Sequence, residues 1–295
     1  MAGVQLKRHQ MRLAVVALCF LLVTSPMFSN LLHTAWQGIV AVSARRHYVQ
    51  WPALETEYFQ LRYSPEDEDI AAWLGSEADA AVKQVAAILP HQSGTKRPWL
   101  VVVPDQETFQ EVFGWSDGTG ALGVYLADTV KILTPRAWDW VGEEERLEQF
   151  VQKGPLVHEY THFVLDLRTR GNYTRWFSEG LSQIVEYQVL GYEWLEAGSS
   201  LANTLYSLDE LDKGFDELPN QALAYRQGLS MVTYMEHLKG VDGLNRFIDV
   251  LGEQTPFYQA LKQVYGLDRE EFINGWQKWH REDDRWFRVR EDGKN

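Results

Sequence analysis

The chain has 295 residues, 45% of them hydrophobic and 23% charged, enough for one large domain or two small ones and too apolar for a disordered polymer. Its formal net charge of −13 argues against nucleic acid as the main partner, because phosphate binding needs a cationic surface. The single cysteine, Cys19, excludes both an internal disulfide framework and a cysteine-built metal site. The 12 tryptophans fit core packing, an interface or membrane proximity equally well.

Lys7, Arg8 and Arg12 precede an unbroken apolar run at 13–23, and a weaker apolar stretch continues to Leu32. No acidic residue, lysine or arginine follows until Arg45. Basic residues ahead of an apolar segment direct the N-terminus inward and the rest of the chain outward. A membrane crossing needs about 20 residues, which 13–32 supplies, with Pro26 as a kink. The best small-x-small candidate, Val42-Ser43-Ala44, is far downstream for cleavage, so a retained anchor is expected, with secretion after cleavage as the alternative. Leu18 before Cys19 is too large for a lipoprotein signal. The expected layout is a basic cytoplasmic end (1–12), a signal anchor (13–32), a juxtamembrane linker (33–54) and one folded domain (55–290).

Within that domain, Tyr58–Tyr63 alternates as a strand. Ser64-Pro65 followed by three acids is expected to open a helix that runs to Pro90. Trp99–Val103 reads as a buried strand, Glu107–Phe113 as a helix and Gly118–Gly120 as a turn. Ala121–Leu126 and Thr129–Leu133 read as two further strands, and almost everything beyond has helical period. The class expected is α+β, a small sheet part followed by a helical part.

Where the two parts meet stands HEYTH, His158–His162. Residues four apart share a helix face, so both imidazoles can reach one cation, and Glu159 is placed to take a proton from a water the metal polarises. Alone, the motif is also compatible with a surface helix bearing two unrelated histidines. A second helical segment, WFSEGLSQIVEY at 176–187, supplies Glu179, and two histidines with one glutamate form an open zinc set.

HEYTH followed by WFSEGL resembles the gluzincin metallopeptidases, in particular the bacterial peptidase-MA-like group. The resemblance implies a thermolysin-like catalytic domain with one zinc per chain, held by His158, His162 and Glu179. It implies a peptide or protein substrate, with Glu159 as the base. The separation of His162 from Glu179 (residues 163–178) is shorter than in the better-known branches, and a short loop at 168–173 can absorb this. Glu186 falls where the family places an acid one helical face further on; it either turns toward the zinc ligands or is an ordinary helix-face acid. Tyr225, within Ala222–Tyr234, falls where the family's oxyanion-binding tyrosine sits; a tyrosine packed in the core is the open alternative. His237 is a second candidate donor, expected on a helix surface. Asp166 either supports a ligand or has a structural place beside Arg175 or solvent. The resemblance also implies that a substrate lies along an edge strand, here Gly123, Val124 and Tyr125, the open alternative being an ordinary sheet strand with no free edge. That strand has no acid to capture a free amino terminus, so internal cleavage is expected. Two other classes stay open: an idle gluzincin-like domain that binds an envelope protein or peptide, and a structural membrane protein without metal. The expected location is a bacterial cell membrane with the domain outside. Oligomeric state has no signature in the sequence.

Overall fold

The computed structural model describes residues 37–92, 96–111 and 121–289. The expected anchor at 13–32 and the turn at 118–120 lie outside these. Among the described residues no helix is long and apolar enough to cross a membrane.

Residues 37–45 form helix α1, and Ala41, Ala44 and the following Tyr48 are buried. Arg45 ties this region to the sheet, donating to the Asp128 carbonyl at 2.7 Å and the Thr129 hydroxyl at 3.0 Å. Strands β1 (Ala53–Glu55), β2 (Gln60–Tyr63), β3 (Trp99–Val103), β4 (Gly123–Leu126) and β5 (Thr129–Leu133) build one sheet in the order β1-β2-β3-β5-β4. The central pairs β2–β3 and β3–β5 are parallel, and the outer pairs are antiparallel. Leu100–Val103 are wholly buried, as a parallel strand covered on both faces requires. β4 turns into β5 through Ala127 and Asp128, both at positive φ, the backbone of a tight two-residue hairpin. This leaves β4 at the sheet margin.

The helix expected at Ser64-Pro65 starts later. Ser64 caps a short 3₁₀ turn, Pro65–Asp67, and helix α2 runs Ala71–Ile88. Asp67 is the reason: it is 1% exposed and accepts a 2.8 Å hydrogen bond from Thr134, so the chain turns inward before the long helix begins. The second expected helix is α3, Gln106–Glu111.

Helices α4 (Arg146–Lys153), α5 (Leu156–Thr169), α6 (Arg175–Leu190), α7 (Leu208–Gly214), α8 (Gln221–Gly252), α9 (Phe257–Tyr265) and α10 (Arg269–Trp279) form the helical part. α8 breaks at Gly240, whose φ of 66 and ψ of −176 are not helical. α5 starts behind Pro155 and ends through left-handed Arg170 and Gly171. α6 crosses α8 at two glycines so closely that a Cβ on Gly180 would lie 2.4 Å from the Gly228 carbonyl oxygen. Trp276 and Trp286 are completely buried, so these two C-terminal tryptophans are core.

Candidate metal centre

HEYTH lies in the first half of α5, and Glu179 in the first turns of the neighbouring α6. The two helices bring together one ligand atom each from His158, His162 and Glu179, all within 4.8 Å of one another. His158 Nε2 lies 3.2 Å from Glu179 Oε2, and His162 Nε2 lies 3.5 Å from Glu179 Oε1. Both Nε2 atoms therefore converge on one carboxylate.

Each ring is held from behind by its other nitrogen. His162 Nδ1 lies 2.8 Å from the Ser178 hydroxyl and 3.1 Å from that of Ser182. His158 Nδ1 lies 3.5 Å from Glu186 Oε2, so Glu186 turns toward the site. Outer partners of this kind fix the orientation of metal-ligating imidazoles. Two imidazoles and a carboxylate, oriented so, fit a divalent ion of the zinc type with an open fourth position.

Charge is distributed unevenly among these groups. Burial alone would push the Glu179 carboxyl up, but Arg175, His162 and His158 outweigh it and hold it well below the usual carboxylate range. Burial pulls His162 down to about 3, whereas at His158 the hydrogen bonds to Glu179 and Glu186 overcome burial and raise the pKa well above the ordinary value. Glu159, 6% exposed, is raised to about 7, mainly by burial. That lets it accept or release a proton near neutrality.

Glu159 packs against the backbone of β4. A Cβ on Gly123 would lie 2.5 Å from Pro155 Cβ and 2.8 Å from Glu159 Cγ, so glycine is the residue that admits α5 this close to the marginal strand. Tyr125 stacks near His162, with ring centroids 6.5 Å apart and planes 20° apart, and its hydroxyl donates to Asp166 at 3.0 Å. Together these elements line a cleft of about 720 Å³, whose walls include Gly123, Tyr125, Glu186 and Tyr225. The Tyr225 ring packs on Phe215, and burial followed by the nearby Glu179 charge raises its hydroxyl pKa far above normal, keeping it protonated.

One expectation changes and one holds. Asp166 meets neither Arg175 nor solvent: it is buried, 7% exposed, and accepts from Gln37 at 2.7 Å as well as from Tyr125. Arg175 instead contacts Glu179 and Asp216. His237 is exposed on its helix, as expected, and lies beside Trp279, apart from the cleft-lining residues. Sequence reading missed Ser178 and Ser182, although their four-residue spacing on α6 puts them on one face. It also missed Gln37, which has no local signal.

Residues 147–282 match the family model of the peptidase MA superfamily. The likeness to gluzincins carried by HEYTH and WFSEGL is therefore matched by a family likeness over that segment. No curated protein matches the chain. Among solved structures, native leukotriene A4 hydrolase from Saccharomyces cerevisiae is similar at 11% identity and a TM-score of 0.43, over 83% of this chain and 40% of that one. The yeast enzyme in complex with bestatin is similar at 10% identity and 0.41, over the same shares. The chain thus spans about two fifths of those proteins' length.

Proposed function

We propose that this chain is a zinc-dependent peptidase that cleaves within peptide chains, held by residues 13–32 on the outer face of a bacterial membrane. The observation that carries the catalytic part is the convergence of both Nε2 atoms on Glu179, with Glu159 next to them and against the marginal strand. His158, His162 and Glu179 would hold one zinc ion, which supplies a Lewis acid for the scissile carbonyl and acidifies water at neutral pH.

Every other step belongs to the chain's own groups. β4 offers main-chain partners to an extended substrate, and strand addition of this kind gives affinity without demanding a particular sequence. Glu159 takes the proton from the attacking water and passes it to the leaving amine. The Tyr225 hydroxyl donates to the oxyanion as the carbonyl becomes tetrahedral. Residues 123–126 of β4 include no acidic side chain to capture a free amino terminus, which supports internal cleavage. Membrane attachment rests on the basic residues before 13–32 and on that segment's apolar length.

The test is cleavage of a mixed peptide library by the zinc-loaded chain, with Glu159→Gln as control. Cuts inside peptides that vanish in Glu159→Gln support the reading. Undiminished cleavage by that variant would sink the mechanism, and a zinc-loaded chain that cuts nothing would favour an idle, peptide-binding domain.

A further inference from the structure

Arg175 is the first residue of α6 and lies one turn before Glu179. Its Nη1 contacts Glu179 Oε1 directly. On its other side, Nε donates to both carboxylate oxygens of Asp216, at 3.1 and 3.3 Å. Asp216 belongs to a different element, the 3₁₀ turn Phe215–Glu217 that follows α7. The guanidinium thus bridges a buried carboxylate, whose side chain is 3% exposed, to an exposed one at 65%. A planar guanidinium held on two edges has little freedom to swing, so it transmits a fixed geometry to whatever it touches.

The carboxylate it touches is the one on which both imidazoles converge. Glu179 Oε2 faces His158, whereas Oε1 faces His162 and Arg175 together. We propose that Arg175, anchored by Asp216, is a positioning residue that fixes the orientation of the Glu179 carboxylate for metal binding. The proposal rests on the reading of His158, His162 and Glu179 as the metal set. It extends the site beyond the two signature segments to the turn at 215–217, which neither signature reaches.

Two physical effects of Arg175 have opposite signs, which makes the role decidable. Acting through charge alone, a cation beside the site repels a divalent ion, and removing it would tighten zinc binding. Acting as a positioner, it saves the carboxylate from sampling other rotamers, and removing it loosens zinc. Loss of an outer partner of a metal ligand typically costs 10- to 100-fold in affinity, so the second effect is expected to prevail.

The experiment uses the full chain with Arg175→Met, Arg175→Lys and Asp216→Asn. Zinc dissociation constants come from chelator competition, and the visible spectrum of the cobalt-substituted protein reports ligand geometry. Arg175→Met should weaken zinc about 10- to 100-fold and shift the cobalt bands. Arg175→Lys retains the charge but loses the fork, so it too should weaken zinc. Asp216→Asn should act in the same direction by less. Circular dichroism establishes that each variant is folded; if Arg175→Met does not fold, the lysine and asparagine variants decide. Unchanged or tighter zinc binding in folded Arg175 variants overturns the proposal, as does a raised KM with zinc affinity and cobalt spectrum intact, which would make Arg175 a substrate contact. A wild-type chain that binds no zinc removes the metal reading and this inference together; one that binds zinc indifferently to Arg175 removes the inference alone.

Discussion

Replacing Gly180 by alanine places a Cβ 2.4 Å from the Gly228 carbonyl oxygen, 2.6 Å from its carbon and 2.7 Å from Val232 Cγ2. The nearest atoms are backbone, so no side-chain rotation relieves the contact. α6 and α8 must instead separate by about 1 Å to reach ordinary van der Waals distance. Overpacking in a core costs about 1–3 kcal/mol, and the upper end applies where backbone is the obstacle. Alanine regains up to about 1 kcal/mol of helix propensity over glycine, leaving a net loss of about 2 kcal/mol. With a urea m-value near 3 kcal/mol/M, at the high end of the usual range for a chain of this size, the midpoint should fall by about 0.7 M. Gly142→Ala is the control: its Cβ would meet nothing within 4 Å and its φ of −54 suits alanine, so it should be neutral or gain about 0.4–1 kcal/mol. The two helices also carry Glu179 and Tyr225, and a 1 Å misplacement can cost about 100-fold in rate. Peptide cleavage should therefore fall more steeply than stability. A Gly180→Ala protein as stable and active as wild type would refute the close helix crossing.

Tyr225→Phe should lower kcat by about 100- to 1,000-fold, the usual cost of one oxyanion donor, and leave zinc affinity unchanged; an unaffected kcat would return Tyr225 to core packing. Lys131, 1% exposed with Nζ 4.9 Å over the Tyr48 ring, has its pKa pulled down to about 8 by burial. Because its folded pKa is depressed, the unfolded chain binds more protons between about pH 8 and its ordinary value of 10.5, and this group's contribution to stability rises with pH across that window. Lys131→Met should therefore stabilise the protein at pH 7, by at most about 3 kcal/mol from the size of the shift, with the gain shrinking toward pH 10.5. A gain that stays flat with pH would show that the amine is not the cause.

Sequence alone reached the three candidate ligands because helical spacing is local. HEYTH needs only four residues on one helix, and Glu179 stands in a second short segment. The order of sheet part before helical part was legible for the same reason, from periodicity element by element. Contacts between distant segments were not legible. Gln37 reaches Asp166 across 129 residues and Asp216 reaches Arg175 across 41, and neither partner has a motif around it. The Ser64-Pro65 helix start misled because the capping signal was real but belonged to a three-residue 3₁₀ turn; the demand that ended it, Asp67 turning inward to Thr134, comes from a residue 67 positions away. The hairpin at Ala127-Asp128 likewise forms without the glycine that usually marks one, supported by Arg45 on the Asp128 carbonyl and the Lys96–Asp128 ion pair.

The central claim is that His158, His162 and Glu179 form one metal centre, and zinc titration of the full chain followed by calorimetry tests it most directly. The account predicts one zinc per chain, binding strongly weakened in His158→Ala, His162→Ala and Glu179→Ala, and near-native affinity in Glu159→Gln, whose side chain serves the reaction and not the ion. A chain that takes up no zinc, or takes it up equally well without those three side chains, would contradict it.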